Sequence, residues 1–210
     1  MEDLSLEFLL TQTNAALVII DVQNDFCCPK DADKDDPYIS TVAKMMERLT
    51  SLVDAARLKG APVIFVQNIE DESTDSFAWL SRPDVKKDST RNEGVCRRGT
   101  WGTELYQFKP TETDYVVEKH RFSAFVDTKL QDLLGELKID TLIFTGVATN
   151  ICVETSARHA VMLDYHVIMA EDACATWDAE CHESTKKNIS LWFGKVVTVD
   201  EITDIWENTK

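Results

Sequence analysis

The sequence holds no long uninterrupted apolar run: its first strongly hydrophobic stretch, Ala15-Ala-Leu-Val-Ile-Ile20, is broken at once by Asp21. A membrane-crossing helix needs about 20 apolar residues, so no spanning segment is expected. Positive charge is also scarce. Against 37 aspartates and glutamates stand 22 lysines and arginines, for a formal net charge of -15. Such a field repels phosphates and anionic headgroups, which argues against nucleic-acid and membrane-surface partners, although a charged surface also serves plain solubility. The first fourteen residues carry Glu2, Asp3 and Glu7 and no basic side chain. That is the wrong polarity for a secretory signal or a mitochondrial presequence, and a cytoplasmic location is the expectation. No spacing among Cys27, Cys28, Cys96, Cys152, Cys174 and Cys181 suggests a disulfide framework, and a chain of this size needs no staples, so free thiols are expected. Asn188-Ile-Ser190 matches a glycosylation sequon; without an export signal it reads as chance.

What is present is ordinary for a globular protein, 44% hydrophobic and 28% charged, with length for one domain over 1–210 and a complete core. Residues 15–22 read as a central parallel strand covered on both faces. Gln23 to Pro29 and the charged residues 30–36 follow as a loop. Val42, Met45, Met46, Leu49, Leu52, Val53 and Ala56 form a helical stripe that ends near Gly60. Strands are expected at 62–67, 115–119, 141–144, 166–170 and 195–199, and helices around Leu130 to Leu137, at 179–193 and at 201–207. The stretch 69–102, irregular and charged, has the length of a lid, a binding loop or a partner surface. Alternation of strand and helix along the chain predicts an α/β protein, a three-layer αβα Rossmann-like fold with a parallel sheet of about six strands.

In such sheets the carboxyl ends of the strands form the ligand rim. Asp21, Asn68, Lys119 and the turn Thr145-Gly-Val-Ala-Thr-Asn-Ile-Cys-Val153 fall at the ends of four successive strands. Cys152 is placed at a helix start, where unpaired N–H groups and partial positive charge favour a thiolate and can hold an oxyanion. A thiol with its ordinary pKa of about 8.5 is mostly protonated at neutral pH and needs a base. Asp21 can take its proton and return it to a departing nitrogen; Lys119 can hold the carboxylate charged and stabilise the thiolate. The backbone N–H groups of Ala148 and Cys152 are the candidate oxyanion donors. Each residue also has a plainer reading: Cys152 as a small buried hydrophobe, Asp21 as a cap or loop residue, Lys119 as a solvated strand end.

Together these residues resemble the isochorismatase-like cysteine hydrolases over nearly the whole chain. The likeness rests on Val18-Ile-Ile-Asp-Val-Gln-Asn-Asp-Phe26, on Val116-Val-Glu-Lys-His-Arg-Phe-Ser-Ala-Phe125 and on the cysteine turn. It implies a catalytic Asp21, Lys119 and Cys152, a cis peptide between Val147 and Ala148, and a homo-oligomer, dimer or tetramer. Nicotinamidase-like members add a metal held by an Asp and two histidines between the first two motifs. Here the four histidines are His120, His159, His166 and His182, none between Asp21 and Lys119, so no metal and no cofactor is expected. His159 and His182 fall on helices, where packing or solvation is the ordinary fate of a histidine, and His120 should face away from Lys119 along its strand.

The nearest likeness is to ureidoacrylate, biuret and N-carbamoyl amidohydrolases. It is carried by Phe65-Val-Gln-Asn68, Arg97-Arg-Gly-Thr-Trp-Gly-Thr-Glu-Leu105 and Cys152-Val-Glu-Thr-Ser-Ala-Arg158. The expected partner is a small-molecule amide. Asn68 has the donor and acceptor for a planar ureido group; Phe26, Trp101 and Phe122 are candidates for its walls, each equally suited to the core. Arg97 or Arg98 is a candidate for a substrate carboxylate. Residues 70–96 depart from the ureidoacrylate pattern and leave the substrate open. The alternatives are a vinyl-ether hydrolase that does not use the thiol, a nicotinamidase-like amidase, and a scaffold with an idle site.

Overall fold

Apolar residues on consecutive positions of a strand point to opposite faces, so a run such as Leu17-Val-Ile-Ile20 demands a layer of helices on each side. The computed structural model, which describes residues 4–29, 33, 35–83 and 94–209, has that arrangement. Strands β1 (Ala15–Ile20), β2 (Val63–Asn68), β3 (Tyr115–Lys119), β4 (Thr141–Val147), β5 (His166–Ala175) and β6 (Lys195–Val197) form one sheet in the order β3-β2-β1-β4-β5-β6. Every pairing is parallel. The order reverses direction beside β1, between β2 and β4, where parallel sheets open a crevice for ligands.

Helices α1 (Leu6–Thr11), α2 (Asn24–Cys27), α3 (Pro37–Lys59), α4 (Phe77–Leu80), α5 (Leu130–Glu136), α6 (Glu154–Met162), α7 (Ala179–Trp192) and α8 (Val199–Asn208) complete the described elements. On one face Leu17, Ile19, Phe65 and Ile143 pack against Met45, Leu49 and Leu52 of α3 and Ile202 of α8. On the other, Val18, Ile20, Ile64 and Phe144 meet Leu130 and Leu134 of α5, Ala157 of α6 and Ile189 of α7. The α3 stripe runs as the spacing predicts. Asp36 caps its start through the Tyr38 N–H, Pro37 opens it, and Gly60 ends it in the left-handed conformation.

Several elements differ from expectation, two of them near the sheet's ligand rim. Residues 23–29, expected as loop, begin with α2, a single turn that docks beside the site. Strand β5 continues past residue 170, its expected end, through Glu171 and Asp172, and its pairing with β4 shifts register between Phe144 and Gly146. The irregularity turns both carboxylates to cations on neighbouring elements, Asp172 to Arg48 at 2.8 Å and Glu171 to Lys186. Residues 84–93 of the long irregular stretch, and 30–32 and 34 of the earlier loop, lie outside the described residues. Among the described residues no helix is long and apolar enough to cross a membrane.

Candidate active site

Asp21 follows β1 with φ 53, left-handed geometry that is uncommon for a non-glycine residue and marks a constrained position. Its N–H donates to the Val66 carbonyl at 2.9 Å, which ties it to β2. Lys119 ends β3 opposite Asn68 of β2. Its ammonium lies 2.8 Å from Asp21 Oδ2, with both side chains 1% exposed. The contact is an ion pair without aligned hydrogen-bond geometry, since neither Asp21 oxygen meets a donor at a favourable angle. Lys119 Nζ also donates to the Arg121 carbonyl at 2.9 Å and to Cys152 Sγ at 3.5 Å. The ammonium therefore bridges carboxylate and thiol.

Electrostatics follows from that enclosure. Burial raises the Asp21 carboxyl above its ordinary range, and this outweighs the opposing pull of the Lys119 charge. Burial works against the charge of Lys119, yet Asp21 and Cys152 together hold its pKa above the ordinary value. The Cys152 thiol is pushed well up, first by burial and then by the Asp21 charge, with Lys119 opposing. The expected thiolate-favouring helix start is thus outweighed by desolvation: the group at rest is a neutral thiol beside a proton acceptor.

The turn that carries Cys152 is unusually tight. Gly146 has φ +107, and a Cβ there would lie 2.1 Å from the Ile20 carbonyl oxygen, so only glycine lets β4 approach β1 at this level. The Val147–Ala148 peptide is cis. Cys152 does not open an α-helix as expected; it lies in a π-helical turn, Thr149–Val153, that precedes α6. The Ala148 carbonyl takes the N–H groups of Ile151 and Val153 at 3.1 and 3.3 Å. Ser156 donates to the Cys152 carbonyl at 2.7 Å and accepts from the Ala124 N–H at 2.9 Å, clamping the cysteine turn to the segment after Lys119. Glu154 accepts from Arg158 on its own helix and from Thr185 on α7.

Cys152, Asp21, Val147 and Ala148 form part of the wall of a cavity of about 350 Å³, at the small end of ligand pockets. Phe26, Asn68 and Phe122 are among its lining residues. Trp101 is not among the described residues that do, which corrects its assignment to the substrate wall. It belongs to a 3₁₀ turn, Trp101–Thr103, pressed onto α2, where a Cβ on Gly102 would lie 1.8 Å from Asp25 Oδ2. The Trp101 carbonyl accepts from Asn24, and its side chain stands 37% exposed. Aromatic walls come instead from Trp79, tilted against Phe122 at 4.9 Å, and from Trp177, stacked on Tyr38 at 5.2 Å.

The two arginines part company. Arg97 lines the cavity but is bonded to Asp75 at 2.9 Å, while Arg98 is half-exposed and engaged with Asp71 and Glu118. Glu70 and Arg82 also line the cavity; both come from the irregular stretch, where no periodicity marks a residue's direction. Gln23 has a role that its place in an expected loop concealed. Fully buried, it donates to the Asn68 and Thr103 carbonyls at 3.0 and 2.9 Å and accepts from the Asn68 N–H at 2.7 Å, fixing the end of β2. His159 is bonded to Ser123 and packed on Phe125, and His182 is bonded to Thr149. The described residues gather no group of three His, Cys, Asp or Glu side chains suited to a metal ion.

An isochorismatase domain model matches residues 15–201. A ureidoacrylate amidohydrolase from Variovorax paradoxus is 32% identical over 204 residues, covering 91% of this chain and 81% of that protein. Nicotinamidase 3 from Arabidopsis thaliana is 31% identical over 192 residues, covering 90% and 86%. The crystal structure of a cysteine hydrolase from Pseudomonas syringae pv. phaseolicola superposes with a TM-score of 0.84 at 26% identity, covering 99% of each chain. With that domain model matching most of its length, the chain, whose sheet brings a thiol, an ammonium and a carboxylate to one rim, belongs to the isochorismatase family of hydrolases.

Proposed function

We propose that the chain is a metal-independent cysteine amidohydrolase that hydrolyses the C–N bond of a small linear amide, a ureido or N-carbamoyl compound. The observation that carries the reading is the continuous contact from Cys152 Sγ through Lys119 Nζ to Asp21 Oδ2, at 3.5 and 2.8 Å, with the thiol and the carboxylate both on the wall of the cavity. The raised Asp21 carboxyl suits proton exchange, because a base whose pKa approaches the working pH both accepts and returns a proton readily. Two relatives, a ureidoacrylate amidohydrolase and a nicotinamidase, are amide hydrolases by name.

In the proposed sequence Asp21 takes the Cys152 proton as sulfur attacks the carbonyl carbon and an S–C bond forms. Lys119 offsets the negative charge passing between the two. The oxyanion is met by the N–H groups of Ala148 and Cys152, a contribution of about 3 to 4 kcal/mol per donor in other enzymes. Asp21 gives its proton to the departing nitrogen, the C–N bond breaks, and ammonia or an amine leaves an S-acyl enzyme. Water then attacks the thioester while Asp21 takes its proton, and that proton returns to the sulfur as the acid is released. Asn68 presents an amide to a planar ureido group, and Phe26 and Phe122 give it flat apolar walls.

The test is ammonia release from biuret, ureidoacrylate, N-carbamoyl amino acids, nicotinamide and simple amides, run in chelator with wild type beside Cys152→Ala. Turnover of a ureido compound should survive chelation and fall at least about a thousandfold with the thiol gone, while the variant keeps its fold. Full activity in folded Cys152→Ala would overturn the reading.

A further inference from the structure

Of the carboxylates that line the cavity, one is neither used by the proposed chemistry nor paired with a cation among the described residues. Asp21 is paired with Lys119, and Asp75 with Arg97 at 2.9 Å. Glu70, on the same wall, has no ion-pair partner among the described residues. Its Oε1 accepts instead from two neutral donors, Trp79 Nε1 at 3.2 Å and Asn68 Nδ2 at 3.4 Å. Its main chain is held on both sides, the N–H donating to the Cys96 carbonyl at 3.0 Å and the carbonyl accepting from the Arg98 N–H at 2.9 Å. The carboxylate is thus rigidly placed. Arg82 lies with its guanidinium 3.2 Å from the centre of the Trp79 ring, directed to that ring's face.

A carboxylate accepts at both oxygens. Both donors from described residues fall on Oε1, so Oε2 takes no hydrogen bond from any of them. A carboxylate on the wall of a small, partly apolar cavity gains most from an N–H donor and is repelled by another carboxylate. Asn68, which bonds Glu70 through its side chain, is fixed through its backbone by Gln23 at the end of β2, beside Asp21. The cavity therefore runs from the thiol, past Asn68, to Glu70.

We infer that Glu70 sets substrate choice: the end of the substrate remote from the scissile C–N bond carries N–H donors, neutral or cationic, and no carboxylate. The inference rests on the amidohydrolase reading and narrows it, favouring a second ureido or amide group over the carboxylate of an N-carbamoyl amino acid.

Biuret and N-carbamoylglycine share a ureido group and are of similar length, but the far end is a carboxamide bearing N–H donors in one and a methylene-linked carboxylate in the other. Calorimetric binding is measured to Cys152→Ala, and to the same protein carrying Glu70→Gln, which keeps an acceptor for Trp79 and Asn68. Cys152→Ala should bind biuret at least about tenfold more tightly than N-carbamoylglycine; Glu70→Gln should erase that preference, the effect expected for one charge-assisted hydrogen bond. Equal or reversed preference with Glu70 present, a preference unchanged by Glu70→Gln, or no binding of either compound would overturn the inference. Turnover by wild type is read separately. Selective binding without hydrolysis would uphold the role of Glu70 and defeat the amidohydrolase reading.

Discussion

Lys119 is among the largest fully buried side chains of the described residues, and Asp21, the carboxylate of its ion pair, is equally buried. Breaking such a pair leaves an uncompensated charge in the interior. Lys119→Met should therefore cost about 3 to 5 kcal/mol in urea unfolding, and the double variant with Asp21→Leu should cost less than the sum of the two single changes. Cys152 gives a second expectation. Burial and the Asp21 charge push its thiol up, so the thiolate fraction is small at neutral pH. Alkylation of Cys152 by iodoacetamide should quicken about tenfold per pH unit between pH 7 and 9, and Asp21→Asn should raise the rate at fixed pH. A flat profile would contradict this. Asp21, Lys119 and Cys152 were legible in the sequence because each ends an apolar strand or its turn, and strand ends share one rim. Glu70, Trp79 and Trp177 were not: two come from an aperiodic stretch, and Trp177 lies just past a strand whose length depends on a register shift. Trp101 was misread because an aromatic in a glycine-flanked turn carries no mark of which way the turn faces.

At the scale of elements, the pairing of β1 with β4 at Gly146 is a backbone constraint. Gly146→Ala would bring a Cβ to 2.1 Å from the Ile20 carbonyl oxygen at a backbone angle that disfavours any side chain. The change should lower stability by about 2 to 3 kcal/mol and displace the cysteine turn, so that activity falls more than stability alone accounts for; thermal unfolding and kcat measured together check it. The six strands and the helices α3, α5, α7 and α8 follow from hydrophobic period, with boundaries within a few residues. Strand β5 runs longer, for its bulge lets acidic residues stay inside an extended strand. The π-turn at Cys152 had no signal in the sequence. Its geometry is set by Gly146, by the Ser156 bridge and by Glu154 tying α6 to α7, contacts that join positions far apart in the chain.

For the molecule as a whole, the surplus of 37 acidic over 22 basic residues makes self-repulsion a term against compactness. Raising salt from about 0.02 to 0.5 M should raise the melting temperature by a few degrees, a shift that calorimetry reads directly. A fall with salt would mean that attractive pairs such as Arg57–Asp114, bonded at 2.6 Å, outweigh the net charge. The sheet order gathers the thiol, the ammonium, the carboxylate and Asn68 at one end, leaving the cavity wall to segments that connect the strands. Those segments contribute two of the chain's five tryptophans, Trp79 and Trp177. Trp177 is 48% exposed and stacked on Tyr38, while Trp79 is bonded to Glu70 and flanked by Arg82. The wall of the site is thus fluorescent, and a ligand that enters displaces solvent from one indole and alters the polar neighbours of the other. Occupancy can be followed as a change in emission from the unlabelled protein, before any bond is broken.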